Sequence, residues 1–297
     1  MENGPPRIFD HTLIDARRRR ALARPQAGAD FLFRAVTDEI LDRLAVVKRG
    51  FAEVADLGSP SPMLISRLSL SGQAERTVRI DRLPETHPEV VGDLEMLPFA
   101  PASFDLVVSA LALQWCDDLP GALAQIRAAL KPDGLMLAAF LGGETLTELR
   151  QSFAEAEAEL TGGASPRVAP FTELRAAGAL LQRAGFALPV IDQDRHVVRY
   201  DSALHLMRDL RAMGATNALN ERSRTPLTRS LLRRAVAIYD ERFSDPDGRV
   251  RATFDVISLS GWAPSANQQK PLRPGSARMR LADALGVREQ STGEKSG

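Results

Sequence analysis

Three acidic residues follow predicted strands in the first third of the chain, and their spacing is suited to binding a polar ligand. Asp56 ends an apolar segment, Asp81 lies 23 residues beyond Gly58, and Asp93 follows shortly after. An acid about 20 residues beyond a strand-to-helix turn is where α/β folds usually bind ribose hydroxyls. Asp93 is placed to accept a hydrogen bond from an exocyclic amine. We therefore predict one nucleoside-binding site at the carboxyl ends of successive strands.

The turn after the first strand reads Gly58-Ser-Pro-Ser-Pro62, with proline at positions where a nucleotide-binding loop usually has glycine. Proline fixes φ and has no N–H to offer a ligand, and it biases the residue before it toward extended geometry. The loss of two backbone donors, at about 1–3 kcal/mol each, would lower ligand affinity on the order of 10- to 10⁴-fold. Two interpretations stay open: a working cofactor site, or a scaffold whose cofactor loop has decayed.

Gln114 and Trp115 follow the most apolar predicted strand, residues 104–109, and would face the same crevice. Trp115 offers a large apolar surface with one N–H, and Gln114 offers both a donor and an acceptor to orient a substrate. A plain core position is an equally good interpretation of Trp115. We expect Cys116 to be a small buried side chain, because no neighbouring base is evident to activate its thiol.

Metal and hydrolase chemistry have little support in the sequence. The four histidines are scattered, without the spacing of a metal site: His11, His87, His196 and His205. No P-loop, G-x-S-x-G or C-x-x-C motif occurs. The sequence therefore predicts no metal site.

The composition of the 297 residues excludes several other classes of protein. Lysine plus arginine and aspartate plus glutamate both number 38, so no net charge favours a nucleic-acid partner. No apolar run approaches the roughly 20 residues of a membrane span, and the first residues lack the apolar core of a secretory signal. A single cysteine fits a reducing compartment, so we expect a cytoplasmic protein.

Apolar segments alternate with amphipathic ones up to residue 142, which is typical of a parallel sheet with helical crossovers. The predicted strands are residues 54–57, 77–80, 104–109 and 135–140, later joined by 195–200 and 252–262. The first predicted helix begins at Asp30, which is placed to cap it. Further helices are predicted over residues 63–70, 119–130, 144–160, 171–184, 202–213 and 226–243. Residues 131–134 read as a turn.

We predict a doubly wound α/β fold in four parts. Residues 1–29 form an arm, 30–142 the ligand-binding core, 143–263 a helical partner region with the last strands, and 264–297 a largely disordered tail with a possible short helix at 279–285. The arm contains four consecutive arginines at 17–20. We expect them to form the solvated face of a short helix, the alternative being a grip on an acidic surface.

Several of these motifs share the order and spacing of one family. They are Asp56-Leu-Gly58, Asp81, Gly92-Asp93, Leu97-Pro-Phe99, Phe104-Asp-Leu-Val-Val108 and Leu130-Lys-Pro-Asp-Gly134. Over roughly residues 30–142 the chain resembles class I S-adenosylmethionine-dependent methyltransferases. The resemblance implies a seven-stranded, mostly parallel sheet and S-adenosylmethionine as cofactor. It assigns cofactor binding to Asp56, Gly58, Asp81, Asp93, Leu94 and Ser109, and it places Gln114 and Trp115 in the substrate pocket.

Further segments narrow the resemblance to the bacterial and mitochondrial complex I assembly factors. They are Ile8-Phe-Asp10, residues 109–120, Leu206-Met-Arg-Asp-Leu-Arg-Ala-Met-Gly214, Ala252-Thr-Phe254, Gly261-Trp262 and Arg273-Pro-Gly-Ser-Ala277. This group implies a protein substrate, a respiratory complex I subunit, and, for the mitochondrial relative, arginine hydroxylation. A eukaryotic source would place the protein in the mitochondrial matrix.

A second enzyme family shares part of this pattern. The malonyl-carrier-protein methyltransferases of biotin synthesis resemble the chain at residues 113–116 and at Gly214-Ala-Thr216. Gln268-Gln-Lys-Pro271 and the tail beyond it favour the assembly-factor group. A non-catalytic scaffold with a decayed cofactor loop remains the third interpretation.

Overall fold

The computed structural model describes residues 7–268, and its centre is one seven-stranded sheet. The strands are β1 Phe51–Leu57, β2 Ala74–Asp81, β3 Val90–Val91, β4 Phe104–Ala110, β5 Leu130–Gly142, β6 Ala187–Tyr200 and β7 Val250–Trp262. Their order is β3-β2-β1-β4-β5-β7-β6. Neighbours are parallel, except that β7 runs antiparallel to both β5 and β6. This confirms the predicted doubly wound α/β fold with a mostly parallel sheet.

Helices cover both faces of the sheet. They are α1 His11–Ala23, α2 Phe31–Ala45, α3 Met63–Leu70, α4 Leu119–Ala129, α5 Thr147–Thr161, α6 Leu174–Arg183, α7 Ala203–Ala212 and α8 Arg229–Phe243. Because side chains alternate across a strand, Val54 belongs to the core that includes residues of α2, α3, α5, α7 and α8, whereas Leu57 belongs to the core that includes residues of α4 and α6. None of the described helices is long and apolar enough to cross a membrane.

The order of the strands reverses between β1 and β4, which lie side by side and lead to helices on opposite faces of the sheet. In open α/β sheets such a switch point leaves a crevice at the carboxyl ends of the strands, and ligands bind there. Asp56 and Asp81 lie at the carboxyl ends of β1 and β2, and Asp93 follows β3 by two residues. The predicted site residues therefore lie around the crevice.

All six predicted strands are longer in the structure, and β5 and β6 are extended the most. The expected turn at residues 131–134 lies within β5, where Asp133 takes a left-handed φ of 62° and the register with β4 shifts. The expected strand at 195–200 is only the end of β6, which begins at Ala187. Pro189 is compatible with β6 because this is an edge strand, where one side of the backbone needs no ladder partner.

The start of one helix differs from the prediction because the residue before it has a left-handed backbone conformation. The helix predicted for residues 144–160 begins at Thr147, because Leu146 before it takes a left-handed φ of 55°. Asp30 precedes α2 but does not cap it, since its carboxylate pairs with Arg34 instead.

The expected tail from residue 269 onward, with the possible helix at 279–285, lies outside the described residues. Residues 265–268, which belong to a separate unit of the chain, form a turn in which Ser265 N–H donates to the Gln268 side chain.

Candidate functional site

A cavity of about 620 Å³, here called the main cavity, opens at the carboxyl ends of β1, β2 and β4. Its volume lies within the roughly 300–1,000 Å³ of pockets that take small ligands. Its wall includes Gly58, Pro60, Asp81, Asp93, Leu94, Gln114, Trp115 and Cys116. Helix α1 and the start of α2 supply the opposite wall, so the arm closes over the sheet edge.

Gly58 makes the turn from β1 into the cavity wall. Its φ is +71°, in the left-handed region that favours glycine. A Cβ at this position would lie 2.8 Å from Leu94 Cδ1 and 3.0 Å from Ala112 Cβ. Glycine is therefore required by both the backbone conformation and the space, and Gly58 lines the main cavity.

Asp81 lies on the wall at the end of β2, with only 1% of its surface exposed. Arg18 of α1 binds both carboxylate oxygens: Nη1 lies 2.9 Å from Oδ1 and Nη2 2.6 Å from Oδ2. The Leu83 N–H donates to Oδ1 as well. Because each carboxylate oxygen has two lone pairs, Asp81 retains acceptor capacity on Oδ2 toward the cavity.

Asp93 also lies on the wall, in the short loop after β3. Its Oδ1 accepts the Glu95 N–H, and its other oxygen is paired with Arg82. Arg82 in turn reaches Asp15 of α1. Asp81 and Asp93 therefore both lie on the wall of the main cavity. Ion pairs join α1 to the consecutive residues Asp81 and Arg82.

Two predicted cofactor residues, Asp56 and Ser109, do not line the main cavity. Asp56 is fully buried beneath it, where its carboxylate accepts from the Ser59 hydroxyl and from Arg79. The Ser109 hydroxyl donates a hydrogen bond to the Leu57 carbonyl oxygen, with 2.7 Å between the two oxygens. Both side chains therefore shape the turn that contains Gly58 instead of facing a ligand, because the strand pleat points them away from the crevice.

Burial raises the pKa of Asp56 to about 6, although Ser59 and Arg79 oppose the shift. A native pKa raised above the ordinary aspartate value of 3.8 means that the folded protein binds this proton more tightly than the unfolded chain does. Stability from this group is therefore present below pH 4 and is lost as the pH rises toward 6. The shift corresponds to about 3 kcal/mol.

We expect Asp56→Asn to remove this pH dependence. Urea unfolding of both proteins between pH 4 and pH 6.5 should show the wild type losing about 3 kcal/mol relative to the variant as the pH rises. All other carboxylates are shared, so their contributions cancel in the difference. Parallel pH profiles for the two proteins would contradict the assignment.

The two prolines of the turn do not fill the cavity. Pro60 forms part of its wall, and Pro62 lies outside it, at the N-cap position of α3. The peptide after Gly58 is held by the buried Ser59, whose hydroxyl accepts from the Ala110 N–H. The prolines thus stiffen a turn that leaves the crevice open.

Gln114 and Trp115 both line the main cavity, in the short helical turn that follows β4. Trp115 also packs edge-on against Phe9 of the arm, with ring centroids 5.5 Å apart. Gln114 donates to the Leu111 carbonyl, while its Oε1 is buried without a partner. Burial, with nearby carboxylates, raises the pKa of the Cys116 thiol, which agrees with an unreactive side chain.

The arginine run of α1 forms the predicted solvated face only in part, because Arg19 and Arg20 are exposed whereas Arg17 and Arg18 are half-buried. Arg18 binds Asp81, Arg19 pairs with Glu85, and Arg17 donates to the carbonyls of Thr216 and Asn217. Arg18 is the wall residue that sequence reasoning missed. A signal existed, since four arginines precede a set of strand-end acids, but it did not specify which acid is bound.

Comparisons with known proteins agree with this architecture. The methyltransferase domain family matches residues 60–138. The mitochondrial arginine-hydroxylase NDUFAF5 of Danio rerio is 39% identical over 263 residues, covering 86% of this chain and 82% of the relative. The malonyl-[acyl-carrier protein] O-methyltransferase of Laribacter hongkongensis is 36% identical over 268 residues, covering 83% and 88%.

A solved structure shows the same fold at low sequence identity. The BH2331 protein of Bacillus halodurans C-125 aligns with a TM-score of 0.54 and 14% identity, covering 78% of this chain and all of that one. Among the curated relatives, the mitochondrial arginine-hydroxylase NDUFAF5 of Rattus norvegicus is 35% identical and covers 97% of this chain and 87% of the relative.

Proposed function

The chain belongs to the class I S-adenosylmethionine-dependent methyltransferase superfamily, in the group that contains the arginine-hydroxylase NDUFAF5, and we propose that it binds S-adenosylmethionine in the main cavity and modifies a protein substrate. One observation carries the proposal. Gly58, Asp81 and Asp93 line a single open cavity at the switch point of the sheet. When bound there, S-adenosylmethionine supplies an activated methyl group.

The wall residues fit the parts of this cofactor. Asp81 accepts a hydrogen bond from a ribose hydroxyl through its remaining acceptor position, and Asp93 accepts one from the adenine amine. Leu94 packs against an apolar ring face, and Gly58 lets the backbone approach the ligand. Asp56 and Ser109 position this turn from below. Gln114 and Trp115 lie where they can orient an acceptor group, which helps transfer mainly by alignment.

We propose that the acceptor is a subunit of respiratory complex I, held during assembly of the complex. The helical region of residues 143–263 is the surface that would hold it. The name of the NDUFAF5 relative points to an arginine side chain as the modified group. The protein would then act in the bacterial cytoplasm, or in the mitochondrial matrix of a eukaryote.

Two other functions each have one observation in their favour. A scaffold role is favoured by the Arg18–Asp81 ion pair, which occupies the proposed ribose acceptor. A malonyl-carrier-protein methyltransferase is favoured by the 36% identity to the enzyme of Laribacter hongkongensis. Mass spectrometry of a complex I subunit and of malonyl carrier protein after incubation separates these functions, because a methyl group, an oxygen atom and no addition differ in mass.

Calorimetric titration with S-adenosylmethionine tests the cofactor proposal directly. We expect micromolar binding to the wild type. Pro60→Gly with Pro62→Gly should bind within about threefold of it, because Pro60 leaves the cavity open. The double variant should unfold more easily, by about 0.4–1 kcal/mol per proline, because the unfolded chain gains freedom. No heat and no thermal stabilisation of the wild type at millimolar ligand would contradict the proposal.

A further inference from the structure

Three side chains that are distant in sequence meet beside the main cavity. His11 begins α1, Glu95 lies in the loop after β3, and Asp117 follows the helical turn after β4. The imidazole nitrogen and the two carboxylate oxygens lie within 4.8 Å of one another, and His11 Nε2 is 3.0 Å from Asp117 Oδ2. The sequence predicted no metal site because 106 residues separate this histidine from Asp117.

This cluster, here called the His11 cluster, lies between two cavities. His11 and Glu95 line the main cavity. Asp117 lines a second cavity of about 510 Å³, here called the side cavity, which shares Gln114 and Cys116 with the first. An ion bound to the cluster would therefore be reached from both spaces.

The negative charge of the cluster is not compensated by a permanent cation. Among residues 7–268, no lysine or arginine forms an ion pair with Glu95 or Asp117, and the one ionisable partner of Asp117 is His11.

An independent observation points to a missing electropositive group. The side-chain Oε1 of Gln114, on the shared wall of the two cavities, is buried and has no hydrogen-bond partner. Buried acceptors in proteins nearly always have a partner. Gln114 precedes Asp117 by three residues, and an amide oxygen can bind a metal ion or accept a hydrogen bond from a water.

We propose that His11, Glu95 and Asp117 bind a divalent first-row transition metal of the Mn²⁺ or Fe²⁺ type at the junction of the main and side cavities. One imidazole with two carboxylates suits these ions, whereas Mg²⁺ and Ca²⁺ prefer oxygen ligands alone. The metal would take the place of the direct His11–Asp117 hydrogen bond.

Further hydrogen bonds hold the proposed ligands in place. Asp117 Oδ1 accepts from the N–H groups of Ile8 and Phe9, at 2.8 and 2.9 Å. One oxygen of Glu95 accepts from the Asp118 N–H at 2.7 Å. Each carboxylate thus has one oxygen held by the backbone, and the Asp117 Oδ2 points to His11. Such outer contacts orient ligands and commonly contribute 10- to 100-fold to metal affinity.

The test uses Mn²⁺ alone and omits S-adenosylmethionine, so its result does not depend on the proposed cofactor. Electron paramagnetic resonance titration of the full chain at pH 7.5 should show one micromolar Mn²⁺ site. Spin-echo spectra should contain a coupling to one imidazole nitrogen. His11→Ala should abolish that coupling, and both His11→Ala and Glu95→Gln should weaken binding at least tenfold.

His205→Ala is the matched control, because His205 is an exposed histidine on α7. It should change neither the affinity nor the spectrum. Glu95→Gln retains an acceptor for the Asp118 N–H, so circular dichroism and thermal unfolding without metal should match the wild type. Millimolar binding by the wild type, no nitrogen coupling, or equal affinity in Glu95→Gln would each overturn the proposal.

Discussion

Asp81→Ala is expected to weaken S-adenosylmethionine binding about 10- to 100-fold. Arg18 and Leu83 leave one acceptor position on the carboxylate, which is the proposed acceptor for one ribose hydroxyl, and a hydrogen bond to a charged group contributes roughly 1.5–3 kcal/mol. Since 1.4 kcal/mol corresponds to about a tenfold change in affinity, the loss of this bond gives this range. Calorimetric titration of the purified variant measures it.

Asp81→Ala also breaks the ion pair with Arg18 of α1, so a control variant must break an ion pair of α1 without changing the cavity wall. Glu85→Gln breaks the neighbouring Arg19 pair on the same helix but does not touch the main cavity. It should bind the cofactor as the wild type does. Circular dichroism must show that Asp81→Ala is folded under the conditions of titration. A folded Asp81→Ala protein that binds within threefold of the wild type would remove Asp81 from the cofactor site.

The strand-end positions of Asp81 and Asp93 could be predicted from sequence because parallel strands end at a common edge of the sheet. Placing these two acids at the sheet edge requires no knowledge of side-chain direction. Placing Asp56 relative to the cavity does require it, because Asp56 pairs in register with Arg79 on β2 and the two side chains lie beneath the turn. Without the register of the two strands, a strand-end acid on the wall and one below it look alike.

The arm shows a different limit of sequence reasoning. Arg18 reaches Asp81 across 63 residues, and His11 reaches Asp117 across 106. Both contacts depend on the path of α1 over the sheet edge. That path is set by contacts from Phe9 to Trp115 and from Arg17 to residues 216 and 217. Local periodicity predicts a helix but carries no information about such a path. The position of α1 on the wall of the main cavity could therefore not be predicted from the sequence.

Gly58→Ala is expected to abolish measurable cofactor binding and to lower the free energy of unfolding by about 2–5 kcal/mol. A left-handed conformation costs an L residue roughly 1–2 kcal/mol. The added Cβ would also lie 2.8 Å from Leu94 Cδ1, and such overpacking typically costs about 1–3 kcal/mol. Because Leu94 lines the main cavity, its displacement narrows the space for the ligand.

Gly72→Ala separates the backbone effect from the steric one. Gly72 has a similar φ of +76°, but a Cβ there would meet no atom within 4 Å. We therefore expect Gly72→Ala to lose only about 1–2 kcal/mol of stability, from the conformation alone, and to bind the cofactor normally. Urea unfolding and calorimetry on both variants give the comparison. If Gly58→Ala binds as tightly as Gly72→Ala, close approach at Gly58 is not what admits the ligand, and the turn serves only to join β1 to α3.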